Sequence, residues 1–250
     1  NAVTSREFPV ILFDAGGTLL HPNPPFEKIY REALAGLGYP KTDQEIDEAM
    51  LRSIRFFNEA SERDENFELK PSLWAESMLR ELNIEAKIAP QIRQVVSAQA
   101  KMVIAQSTVD ICSTLKDRGY RLGIVSNWNG ILADVIRGND LLDLFDSIIT
   151  SVEVGAYKPR SKIFEEAIHD IDISPEKVVF IGESFAADML GAKKLEMKRI
   201  LYDPKFRELR ALLPEDTSGK VVSIETLKHN RRLDDIRVIT RFEELLEIFL

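Results

Sequence analysis

The chain has 250 residues, 44% of them hydrophobic and 30% charged, which is the profile of a globular protein with ample apolar material for a core. Its 33 basic and 41 acidic residues leave a net charge of −8, so counterion release gives it no pull toward DNA or RNA. Cys112 is the only cysteine, which excludes an internal disulfide and a cysteine-based zinc site, and the three histidines (His21, His169, His229) show no metal-ligand spacing.

The first strand is expected over Pro9 to Phe13. From Pro22 to about Ala105 the sequence shows helical spacing and no convincing strand. Phe26 to Leu37 reads as a helix stopped by Gly38, and Thr42 with Glu45 makes a capping box ahead of Ile46, Met50, Ile54 and Phe57. Pro71 opens a helix through Leu82, and Ile88 to Val103 supplies another. Strands are then expected at Arg121–Ser126, Ser147–Thr150, Val178–Gly182, Lys198–Tyr202 and Ile236–Ile239. The intervening helices are Val109–Arg118, Ile131–Arg137, Lys162–His169 and Ala186–Leu195. The strands are short, continuous in Val and Ile, and alternate with helices, as in an α/β protein whose parallel sheet is covered on both faces. Residues 1–21 and 106–250 are the expected α/β core, and 22–105 an inserted helical cap domain. The stretch from Pro204 to Asp234 is polar and carries no readable period. No apolar run approaches the ~18 residues of a membrane span, and Asn1–Glu7 lacks the regions of a signal peptide. The expected setting is a reducing cytoplasm without a membrane partner; nothing in the sequence marks an oligomeric state.

In open parallel sheets the ligand lies at the carboxyl ends of the strands. Those positions hold Asp14 after the first strand, Ser126 and Asn127 after the second, and Gly182-Glu183 after the fourth, with Asp188 five residues on. Lys158 precedes Pro159 and a helix. Asp14 stands on a Gly-rich turn, Phe13-Asp14-Ala15-Gly16-Gly17-Thr18, and a carboxylate so held can serve as a nucleophile. Asp14, Glu183 and Asp188 suit a hard cation such as Mg²⁺, and Lys158 suits a phosphate. Each residue alone is equally a cap, a first-turn acid or a solvated lysine; their joint occurrence is the signal.

The motifs Asp14-Ala15-Gly16-Gly17-Thr18-Leu19, Val125-Ser126-Asn127, Lys158-Pro159 and Gly182-Glu183 with Asp188 resemble the four motifs of the haloacid dehalogenase superfamily, in order and over nearly the whole chain. The helical insertion resembles the cap of its subclass I. The resemblance implies a Rossmann-like doubly wound core and Mg²⁺-dependent phosphoryl transfer from a small phosphorylated substrate through an aspartyl-phosphate. Asp14 would be the nucleophile, with Ser126 and Lys158 as its catalytic companions. Thr18, Ser126, Asn127 and Lys158 would serve the phosphate and its loop, and Asp14, the Gly16 carbonyl, Glu183 and Asp188 would hold the metal.

Two positions depart from that pattern. Gly16 stands where phosphatases of the family carry a second Asp as general acid and base, a loss worth ~10²–10⁴ in rate. Glu183 stands where Asp is usual. His21 is a candidate substitute proton donor, the alternative being a polar hinge residue beside Pro22. The resemblance leaves two other readings: a 2-haloacid dehalogenase-type hydrolase, or a phosphate-binding protein with impaired turnover.

Overall fold

The strands' apolar runs do not alternate because both of their faces are covered. In the computed structural model, which describes residues 7–128, 132–137, 141–213 and 231–250, β1 (Val10–Phe13), β4 (Arg121–Ser126), β5 (Ser147–Thr150), β6 (Val178–Gly182), β7 (Lys198–Tyr202) and β8 (Ile236–Ile239) form a six-stranded sheet. Its order is β5-β4-β1-β6-β7-β8, and every neighbouring pair is parallel. The chain runs outward from β1 in one direction and then returns to build β6 on its other side. That reversal opens a crevice at the carboxyl end of β1.

Alternate residues of β1 enter different layers. Ile11 and Phe13 pack with α5 (Gln106–Asp117), α6 (Leu132–Arg137) and α11 (Glu244–Phe249) through residues such as Leu115, Ile136 and Leu245. Val10 and Leu12 pack with α8 (Ser161–Ile171), α9 (Leu190–Lys193) and α10 (Arg207–Ala211) through Phe164, Ala192 and Leu209. The short α7 (Ser151–Val154) leads from β5 toward the Lys158 loop. The fold is a doubly wound α/β sheet, and the expected strands fall where the apolar runs placed them.

A third apolar cluster belongs to α1 (Phe26–Gly36), α2 (Asp43–Arg63), α3 (Pro71–Glu81) and α4 (Ala89–Gln99), and joins Tyr30, Leu34, Ile46, Met50, Met78, Leu79 and Ile92. The capping box is formed: Thr42 Oγ1 accepts the Glu45 amide at 3.2 Å, and the Glu45 carboxylate accepts the Thr42 amide at 2.8 Å.

Three expectations are corrected. The helix expected over Ile88–Val103 ends at Gln99, and Lys101–Ile104 is a strand, β3, antiparallel to β2 (Leu20–Asn23). The two strands that enter and leave the helical insertion pair with each other, and Val103-Ile104 suit an extended chain. The helix expected from Ala186 begins as a wide π-helical turn, Phe185–Met189, and is α-helical only over α9; the Ser184 hydroxyl caps that turn by accepting the Ala187 amide at 3.1 Å. The stretch read as aperiodic after Pro204 contains α10, while its residues 214–230 lie outside the described part, as do 1–6 of the leading segment. No helix among the described residues is long and apolar enough to cross a membrane.

Phe180 on β6 has no exposed surface and meets the Phe164 ring edge-on at 5.0 Å. Phe180→Ala is expected to cost about 3–5 kcal/mol of stability, measured by urea unfolding.

Candidate active site

Asp14 follows directly from β1, its amide still bonded to the Ile181 carbonyl of β6 at 2.9 Å. The chain then reverses tightly. Leu19 and Leu20 amides donate to the Ala15 carbonyl at 2.9 and 2.8 Å, and the Gly17 amide donates to Leu20 at 2.7 Å. Gly17 has φ +81°, a left-handed conformation that favours glycine. A Cβ there would also fall within the van der Waals envelope of the Glu183 carboxyl, so that turn demands glycine twice over.

Lys158 is the centre of the site. It is 1% exposed, and its Nζ donates to Asp14 Oδ1 and Asp188 Oδ1, both at 2.6 Å, and to the Val125 carbonyl at 3.0 Å. Ser126 Oγ donates to the same Asp14 oxygen at 3.0 Å. Burial alone would lower the Lys158 pKa, but the charges of Asp14 and Asp188 outweigh it and raise it, so the ammonium is retained. All three of its N–H bonds are spent within the protein. Asp14 Oδ2 accepts no hydrogen bond among the described residues. Asp188 Oδ2 accepts the Ser184 amide at 2.9 Å; burial first, and the nearby Asp14 charge, raise its pKa despite Lys158.

Glu183 completes the acidic set. Desolvation in the crevice pushes its carboxyl well up, and the charges of Asp14, Asp188, Glu208 and Asp203 push the same way. The residue keeps an open face to water, so the crowding of like charges is the firmer cause. Asp14, Glu183 and Asp188 stand against one ammonium, a hard-oxygen donor set with unbalanced negative charge that fits a dication such as Mg²⁺. The carboxyls are not already drawn into a cage: no three His, Cys, Asp or Glu groups among the described residues are so gathered, and Lys158 lies between two of them.

The other expected residues take different places. Asn127 is a brace: its Oδ1 accepts the Lys158 amide at 2.7 Å, and its Nδ2 faces the Leu69 and Lys158 carbonyls at 3.1 and 3.2 Å. Its carboxamide is therefore committed to the Lys158 loop rather than free for phosphate. Thr18 is fully buried and gives a ligand no surface to meet, and its Oγ1 has no partner among the described residues. His21 lies on β2 beside the Tyr202 ring, and burial first, then the charge of Lys205, lower its pKa. Its surroundings therefore favour the neutral imidazole over the imidazolium.

Two acids were overlooked. Asp203, directly after β7, accepts the Arg207 and Leu209 amides at 2.9 Å, and Glu208 on α10 accepts Asn58 of α2 at 3.1 Å. Asp203 was readable by the same strand-end rule that found Asp14; Glu208 had no such signal.

The model of haloacid dehalogenase-like hydrolases matches residues 8–195. The chain belongs to that family. A glyceraldehyde 3-phosphate phosphatase from Methanothermobacter thermautotrophicus is 29% identical over 211 residues, covering 79% of this chain and 87% of that protein. Among solved structures, a predicted phosphoglycolate phosphatase from Haemophilus somnus 129PT aligns with TM-score 0.65 at 15% identity, covering 98% of this chain and 100% of the other. YfnB from Bacillus subtilis, bound to magnesium, aligns with TM-score 0.64 at 20% identity over 98% and 99% of the two chains. At those identities the structural likenesses speak for the fold, which matches the family. The chain is thus a hydrolase of this family, with its motif residues gathered at one sheet edge.

Two outcomes are expected. Lys158→Met strands two buried carboxylates and should cost about 3–5 kcal/mol near pH 7, less as acid neutralises them, in denaturant titrations at several pH values. Burial, against the Asn58 hydrogen bond and aided by the Asp203 charge, raises Glu208 to about 8. The folded state then binds its proton more tightly than the unfolded chain does, so stability falls as pH rises from the ordinary glutamate value toward 8. Glu208→Gln removes that loss and should exceed the wild type in thermal stability at pH 8.5 while gaining little at pH 4.5.

Proposed function

We propose that this hydrolase is a magnesium-dependent phosphatase of a small phosphorylated metabolite, working through an aspartyl-phosphate on Asp14. The observation that carries the reading is the asymmetry of the Asp14 carboxylate: Lys158 and Ser126 fix Oδ1, and Oδ2 accepts no hydrogen bond among the described residues. The phosphatases among its relatives and the magnesium-bound neighbour support it.

Asp14 Oδ2 attacks phosphorus, the bond to the leaving oxygen breaks, and water then cleaves the aspartyl-phosphate to release inorganic phosphate. Ser126 and Lys158 hold the nucleophile's orientation. Lys158, with its donors spent, acts on the phosphoryl group through charge and not through a hydrogen bond. Asp14, the Gly16 carbonyl, Glu183 and Asp188 would hold Mg²⁺, which would supply positive charge against the phosphoryl oxygens. Thr18 keeps the nucleophile turn packed. Residues 22–105 form the cap and 1–21 with 106–250 the core, a division supported by the separate apolar cluster of α1–α4.

The test is hydrolysis of p-nitrophenyl phosphate and acetyl phosphate with Mg²⁺ or with EDTA, beside Asp14→Asn. Metal-dependent turnover that falls to background in the variant is expected. No turnover of either ester by the wild type sinks the reading. Halide release from 2-chloropropionate and phosphate binding without turnover would then separate the two remaining alternatives.

A further inference from the structure

We propose that Trp128 determines the substrate class of this site: its indole ring takes the room an acid at position 16 would need, so the site favours leaving groups that depart without a proton, above all those of acyl phosphates. The inference rests on the phosphatase reading and adds to it the residue that selects the leaving group.

Gly16 does not lie in the left-handed region that holds Gly17, so its backbone would accept a side chain without strain. The obstacle is the indole: a Cβ on Gly16 would stand 3.1 Å from Cζ3 and 3.7 Å from Cε3 of Trp128. At 3.1 Å the ring must already yield to a methyl group, and a carboxyl extends further. The ring is held where it is. The Trp128 amide donates to the Ser126 carbonyl at 2.9 Å, its carbonyl accepts Ser151 Oγ at 3.2 Å, and its side chain packs on the cluster containing Ala15 and Leu19. The general-acid place is therefore occupied by an apolar group one residue beyond Asn127 and beside the nucleophile turn.

The chemistry follows. As Asp14 Oδ2 bonds to phosphorus, the bridging oxygen leaves with the bonding electron pair. From an acyl phosphate it leaves as a carboxylate, whose acid has a pKa of about 4 and needs no proton. From an alkyl phosphate it leaves as an alkoxide, whose conjugate acid is about as weak as water, and a proton must be supplied. Water then attacks the aspartyl-phosphate, returning Asp14 and inorganic phosphate in both cases.

The experiment compares wild type, Gly16→Asp, Trp128→Ala and the double variant on acetyl phosphate and glycerol 3-phosphate with Mg²⁺. The double variant should raise the ratio of alkyl- to acyl-phosphate kcat/KM by about tenfold or more, part of the ~10²–10⁴ available to general acid catalysis. Neither single substitution should raise it by a comparable factor. A gain from Gly16→Asp alone as large as that of the double variant overturns the proposal. So does wild-type turnover of glycerol 3-phosphate within about tenfold of acetyl phosphate, since removing the acid should cost more than that. Thermal unfolding of Gly16→Ala in both backgrounds gives a readout free of turnover. A drop of about 2–4 °C with Trp128 present and a clearly smaller one in Trp128→Ala is expected, and equal drops overturn the proposal. If no protein turns over acetyl phosphate but this coupling is found, the phosphatase reading falls while the occlusion of position 16 stands.

Discussion

A lysine ammonium with 1% exposure is tolerable only where its charge and all its protons are answered, and the C-terminal edge of this sheet is built around answering Lys158. Asp14, Asp188 and the Val125 carbonyl come from three different segments and meet on one nitrogen. The pairing contributes little net stability against an apolar substitute, but loss of the lysine would strand two carboxylates. What the arrangement secures is position: Asp14 Oδ1 cannot turn without leaving a buried charge unmatched. The Phe180 ring, 5.6 Å from Nζ, adds a face of compatible polarity below it.

The same constraint reaches the helical insertion. Asn127 grips the Lys158 backbone on both sides of its Cα, and Leu69, in the loop before α3, donates its amide to the Lys158 carbonyl at 3.1 Å. A second set of contacts joins α1 and α2 to the region around α10. Glu27 accepts Lys205 at 2.6 Å and Arg207 at 2.5 Å, Asp47 accepts Arg207 at 2.9 Å and Arg210 at 3.3 Å, and Glu62 pairs with Arg232. Burial would raise Glu27, yet the hydrogen bonds from Lys205 and Arg207 pull it to about 2. Exposed pairs of this kind contribute little singly, but acids on the helical insertion and bases around α10 give the two faces opposite charge. Asn58 and Glu208, buried between them, add a hydrogen bond from the Asn58 carboxamide to the Glu208 carboxyl.

How much of this was legible follows from the range of each interaction. The central strands β1, β4 and β6 were readable because a strand buried on both faces must be continuously apolar, a local property. The motif acids were readable because strand ends are where a parallel sheet places its ligand. The β2–β3 ribbon was not, since Leu20–Asn23 and Lys101–Ile104 become strands only by finding each other across the helical insertion. Asn127 was read as a phosphate ligand from its neighbourhood; its real partners, Leu69 and Lys158, are set by the tertiary fold. Glu208 belongs to a stretch without period, and its environment depends on α2, far away in the chain.

The two departures from the family pattern looked in the sequence like losses, and the structure gives each a local partner. Glu183 is one methylene longer than the usual Asp, and its carboxyl lies over Gly17, where any side chain would collide with it. Gly16 lacks the usual carboxylate, and the Trp128 ring closes on the position. Here the indole stands against the space beside Gly16, the Lys158 charge network is intact, and Asp14 Oδ2 accepts no hydrogen bond among the described residues. On the proposed phosphatase reading, those features shape the site around a different leaving group.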